Sequence, residues 1–142
     1  MIKFKKPELK QQLNRADPKL QKLVKWVHDL CLEKYKKDTI ITEVERTREE
    51  TIRIYIRQIN PETGKLYTPD EVKASTHETK PCRAADKRSS AYTNDECLAI
   101  QYAINSTWIY YPNRLNIKCC KYHGGTALHF HLQVHPKTVE VM

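Results

Sequence analysis

Near its C-terminal end the chain reads Ala127-Leu128-His129-Phe130-His131-Leu132-Gln133-Val134, an apolar/polar alternation of period two. Successive side chains of a β-strand point to opposite faces. Leu128, Phe130, Leu132 and Val134 therefore share one face, while His129, His131, Gln133 and the following His135 share the other. The pattern predicts a half-buried strand with an apolar face against a core and a histidine-bearing face away from it. Just upstream, Leu115 to Tyr122 and the connector His123-Gly124-Gly125-Thr126 complete a β-hairpin with a glycine-containing loop.

The rest of the chain supplies elements to cover such a sheet. Asp17 and Pro18 read as N-cap and first helical position, and Leu20, Leu23, Val24, Val27, Leu30 and Cys31 recur at helical spacing to about Lys36. Thr39 to Val44 is short and β-branched, as a buried strand is. Thr47 with Glu50 makes a capping box for a second helix through about Gln58, which leaves Arg46 at a strand-to-helix junction. Asn60 to Gly64 opens a polar loop lasting to about Thr76. Arg83 to Arg88 is a short strand, and Thr93 with Glu96 caps a third helix whose Ala99, Ile100, Ala103 and Ile104 are expected to face inward. The fold class expected is α+β, a small single domain with an antiparallel sheet flanked by helices. Residues 1–16 read as a basic N-terminal arm, 17–136 as the folded domain and 137–142 as a C-terminal tail.

With 142 residues, 39% hydrophobic and 30% charged, the chain can bury a core without disulfides or a metal merely to fold. No apolar run has the length of a membrane span, and Met1 to Lys22 lacks the apolar stretch of a secretory signal. The five cysteines are odd in number and include the adjacent Cys119 and Cys120, so a disulfide framework is not expected. A formal charge of +8, from 25 basic and 17 acidic residues, suits an anionic partner but does not choose among nucleic acid, a membrane surface and a wall polymer. Nucleic acid has only this charge in its favour and is not expected as a partner.

Two histidines at i and i+2 on a strand project from one face with Cα atoms about 6.5–7 Å apart, close enough for one to bind a metal while the other reaches a substrate. Ser75-Thr76-His77 and Cys82-Arg83-Ala84-Ala85-Asp86 add a histidine and a carboxylate beside small residues. Two histidines and one carboxylate leave a fourth tetrahedral position for water, the arrangement of a catalytic zinc site. The residues leave open which of His129 and His131 is the third ligand. Cys119, Cys120 and His123 do not make a second site, because adjacent strand residues face opposite ways. Tyr92, Tyr102, Trp108, Tyr110 and Tyr111 form an aromatic-rich region read as core and rim packing.

From about Leu20 to Val134 the chain resembles the zinc D-alanyl-D-alanine carboxypeptidases and L-alanyl-D-glutamate endopeptidases, which share a fold with the hedgehog signalling domain. Ile41-Thr42-Glu43-Val44-Glu45-Arg46-Thr47 looks like that family's strand ending in Arg-Thr before a helix. Ser75-x-His77 with Ala84-x-Asp86 looks like its Ser-x-His-x-x-Gly-x-Ala-x-Asp signature, and Leu128-His129-Phe130-His131-Leu132 like its final zinc-binding strand. The resemblance implies Zn2+ held by His77, Asp86 and His131, with His129 close to the reacting centre and Arg46 offsetting charge at the scissile carbonyl. It implies a zinc peptidase hydrolysing amide bonds in peptidoglycan stem peptides, with a water acidified to a pKa of about 7. A phage-type lysin would be made in the cytoplasm and act at the bacterial cell wall after release.

The chain departs from that pattern in three places. His77 and Asp86 stand further apart than in the signature, Cys82 replaces its glycine, and the carboxylate expected before the last ligand is Leu128 in one alignment and falls near Gly125 in another. His129 is the residue expected to serve as general base in its place. The alternative is a catalytically silent zinc domain that recognises a wall fragment or a protein partner.

Overall fold

Side-chain caps open the helices that begin at Pro18, Arg48 and Asn94, whereas the one that begins at Glu8 has none. In the computed structural model, which describes residues 1–124 and 128–141, the elements in chain order are β1 (Ile2–Phe4), α1 (Glu8–Asn14), α2 (Pro18–Tyr35), β2 (Thr39–Glu43) and α3 (Arg48–Tyr55). There follow β3 (Ile59–Asn60), β4 (Lys65–Leu66), β5 (Ala84–Arg88), α4 (Asn94–Thr107), β6 (Trp108–Ile109), β7 (Cys120–Gly124), β8 (Leu128–Gln133) and β9 (Val139–Glu140). The Asp17 side chain accepts from the Lys19 amide at 2.9 Å ahead of Pro18, and α2 stops at Lys36, which adopts the left-handed conformation (φ 57°). Thr47 with Glu50 and Thr93 with Glu96 form reciprocal capping boxes at the starts of α3 and α4.

The main sheet has the order β1-β2-β5-β8-β7. It is mixed rather than purely antiparallel: β1 runs parallel to β2, while the other neighbours are antiparallel. The chain between β1 and β2 contains α1 and α2, the long crossover that a parallel pair requires. In register, Asp86 faces His131 and Arg88 faces His129 on one side of β8, while Lys121 faces His131 on the other. Gly125, Thr126 and Ala127, part of the expected hairpin loop, lie outside the described residues.

One face of the sheet meets α2 and α4. Leu20, Leu23, Val24, Val27 and Cys31 of α2 cluster with Cys97, Ile100 and Ile104 of α4 and with Phe130, Leu132 and Val134, all essentially without exposure. Cys97 joins the inward stripe of α4 in place of Ala99, which is exposed. Leu128 also departs from the alternation: at the start of β8 it is 55% exposed and borders the opposite face. Lys87, between Asp86 and Arg88, points into the core, where its Nζ donates to the Tyr92 hydroxyl at 3.0 Å. Burial holds that ammonium below the usual lysine range. The five cysteines are free and buried.

Both terminal segments pack against the rest of the chain. Residues 1–16 are not a free basic arm: β1 extends the sheet, and Leu9, Leu13 and Ala16 belong to the main core. Leu9 and Leu13 sit at i and i+4, so one side of α1 is apolar while its charged residues face out. Residues 137–141 likewise pack on the domain, since β9 pairs with β6 and the buried Thr138 donates to the Tyr110 carbonyl at 2.7 Å. Among the described residues no helix is long and apolar enough to cross a membrane.

Candidate metal centre

The sheet face opposite the helices borders a groove of about 1600 Å³, walled by α3, the β3–β4 hairpin and residues 71–77. His77 enters it from a single 3₁₀ turn, Thr76–Glu78. Ser75 Oγ accepts from the His77 amide at 3.1 Å and Glu78 accepts from the Ser75 amide at 2.7 Å, so a capping box makes the turn rigid. The Arg46 amide donates to the His77 carbonyl at 3.0 Å and ties this turn to the end of β2. The long interval between His77 and Asp86 is absorbed by residues 79–83. There Cys82, in the position of the signature glycine, is buried with its thiol donating to the Val44 and Ala84 carbonyls at 3.3 Å.

His77, Asp86 and His131 converge: their ligand atoms all lie within 4.8 Å of one another. Asp86 Oδ1 is 3.2 Å from both His77 Nε2 and His131 Nδ1. The more distant ring nitrogens identify the tautomers. His77 Nδ1 is 2.6 Å from the Val44 carbonyl, which can only accept, so Nδ1 carries the proton. Gln133 is oriented by its Nε2, which donates to the Lys118 carbonyl at 2.8 Å. Its Oε1 therefore faces His131 Nε2, at 3.0 Å, and that nitrogen also carries the proton.

A lone pair from each histidine thus points at a carboxylate oxygen, which itself offers only lone pairs. Three buried or half-buried acceptors facing one another repel unless a cation sits among them, either as protons on both imidazoles or as a metal ion. Burial alone would push the Asp86 carboxyl up. With protons also on the nitrogens that face it, hydrogen bonds and charge from His131 and His77 outweigh this and hold it far below the usual carboxylate range. Two imidazoles and a carboxylate, each imidazole held by an outer hydrogen bond, form a group that could hold a metal ion.

His129 stands beside this group rather than within it. Its Nε2 is 3.7 Å from Asp86 Oδ2, the oxygen turned away from the other two histidines, and its side chain remains 28% exposed on the groove. The two histidines of the strand are thereby distinguished: His131 belongs to the group that could hold a metal ion, and His129 lies beside it on the groove. Arg46 also lines the groove with its side chain 11% exposed, and its Nε donates to Glu43. Burial works against the Arg46 charge, but the hydrogen bond and charge of Glu43 more than offset it and leave the guanidinium firmly cationic.

Three participants escaped the sequence reading. Gln133 was placed on the histidine face but given no role, although its position two residues beyond His131 was the available signal. The Val44 carbonyl and Glu43 give no comparable signal, because their parts depend on how β2 meets the 75–78 turn. Cys119 and Cys120 are both buried, and burial pushes the Cys119 thiol up to about 12, so it is an inert core residue. Tyr92 and Trp108 are buried, whereas Tyr102 is exposed. No family model, curated protein or solved structure matches this chain.

Proposed function

We propose that the protein is a zinc-dependent peptidase that hydrolyses amide bonds in peptidoglycan stem peptides, built on a hedgehog/DD-peptidase-like fold. The observation that carries the reading is the pair of tautomers fixed by the Val44 carbonyl and Gln133, which aim two imidazole lone pairs at Asp86 on the floor of an open groove. A zinc ion held there supplies Lewis acidity and a water acidic enough to react at neutral pH.

The chain's own residues do the rest. His77, Asp86 and His131 present one face of the group to the groove, where the substrate amide enters. His129, within reach of that face, takes a proton from water and returns it to the departing amine, as an imidazole does near neutral pH. Arg46, oriented by Glu43, places positive charge near the carbonyl oxygen that gains negative charge.

One observation favours the rival reading of a silent zinc-binding domain. Among the described residues, the metal-capable group holds no carboxylate beyond Asp86 to serve as base. One experiment separates the two. Zinc-loaded protein is incubated with purified stem peptides and products are followed by mass spectrometry. The peptidase reading expects one zinc per chain, cleavage abolished by chelator, and a loss of about 10²–10⁴-fold in kcat for His129→Ala with zinc retained. Zinc-loaded wild-type protein that leaves every peptide of a varied panel intact overturns it.

A further inference from the structure

The sheet wall of the groove carries charge that the fold itself does not use. Arg88 lies two residues beyond Asp86 on β5, on the same face, and is the cross-strand partner of His129. Lys121 on β7 is the partner of His131 from the other side, while the next residue, Tyr122, packs its ring on Phe130 in the core. Both cationic side chains are exposed and line the groove, and among the described residues neither has an ion-pair partner. The acids of the same lining are mostly committed: Glu43 to Arg46, Glu71 to the Thr68 amide and Asp86 to the histidines.

We propose that Arg88 and Lys121 form an anion subsite that takes a carboxylate of the peptide substrate, beside the amide presented to the His77–Asp86–His131 group. This rests on the peptidase reading for the identity of the chain that carries the carboxylate. The two Cα atoms are separated by two strand spacings and a two-residue offset, about 12 Å in all, a gap that two long side chains can close from either side of β8. Arg88 offers a planar fork that matches a carboxylate, and Lys121 offers a mobile point charge. Their adjacency to His129 and His131 puts the bound carboxylate within about two residues of the scissile amide, at the extended-chain rise of about 3.3 Å per residue.

The charge pattern favours a carboxylate over a nucleic-acid backbone. A phosphodiester chain needs an uninterrupted basic track, whereas Glu43, Glu62 and Glu71 break this groove into separate cationic positions. A peptide with discrete carboxylates matches such spacing.

The test uses pairs of stem-like peptides identical except that one carries a free C-terminal carboxylate and the other a carboxamide. A second series moves the carboxylate to a side chain. Binding to zinc-loaded wild type, Arg88→Gln, Lys121→Gln and the double variant is measured by calorimetry, with zinc content and melting temperature as controls. The wild type is expected to prefer one carboxylate position by about tenfold or more over its amide, and the double variant to lose that preference while keeping its zinc. Equal binding of acid and amide at every position overturns the subsite, as does a preference that survives in the double variant. Tight, steeply salt-dependent binding of single-stranded DNA that displaces the peptides also overturns it. Discrimination without cleavage supports the subsite and overturns only the peptidase reading.

Discussion

Gln133 is the residue on which the metal reading turns most directly. It is buried, its amide nitrogen is committed to the Lys118 carbonyl, and its amide oxygen determines which nitrogen of His131 faces Asp86. Outer hydrogen bonds of this kind fix ligand orientation and basicity, and losing one typically costs 10–100-fold in metal affinity. Gln133→Leu keeps most of the volume and removes the acceptor, so its zinc affinity is expected to fall by about that factor. Gln133→Glu keeps an acceptor and is expected to hold zinc at least as tightly as the wild type. Competition against a chromophoric chelator measures both, and an unchanged affinity in Gln133→Leu would show that His131 is oriented by something else.

At the scale of the element, the N-terminal segment is the feature most changed by packing. α1 has seven residues and would not persist alone in water, since isolated helices that short are marginal. Its stability comes from Leu9 and Leu13, which are 5% and 6% exposed in the shared core, and from β1 at the parallel edge of the sheet. Leu13→Ala is therefore expected to destabilise the whole protein by about 2–4 kcal/mol, the cost of a buried leucine truncation. A residue on a free basic arm would cost almost nothing. Urea unfolding with an unchanged slope distinguishes the two outcomes. β8 is the other decisive element: its two-residue period separates Phe130, Leu132 and Val134 in the core from His129 and His131 on the groove, so a one-residue slip would lose core and site together.

For the molecule as a whole, the metal group lies on the opposite side of the sheet from the main core, and that arrangement predicts how metal and stability are linked. The core of α2, α4 and β8 is complete without the ion, so removing zinc is expected to leave a folded chain with native far-UV dichroism. It should nevertheless melt at a lower temperature, because free zinc at a thousandfold over its Kd stabilises the native state by about 4 kcal/mol. Chelation that unfolds the protein at room temperature would instead mark the ion as structural. The formal charge of +8 finds part of its placement in the same architecture, where Arg46, Arg57, Lys73, Arg88 and Lys121 all border the groove.

The sequence by itself determined the features that depend on local chemistry. Helix starts at Asp17, Thr47 and Thr93 followed from capping residues, and the two faces of residues 128–134 followed from a period of two. These are short-range effects, whereas His77, Asp86, His129, His131 and Arg46 came forward as candidates through the resemblance of their motifs to those of the zinc peptidases. Tertiary structure alone decided which histidine of the pair joins His77 and Asp86, because that depends on β5 lying in register with Asp86 opposite His131. It also decided that Glu43 orients Arg46, that Gln133 and the Val44 carbonyl fix the tautomers, and that the first sixteen residues join the core. Hydrogen bonds and burial between segments remote in sequence leave no periodic trace along the chain. Only the sheet that brings those segments together gives them their partners.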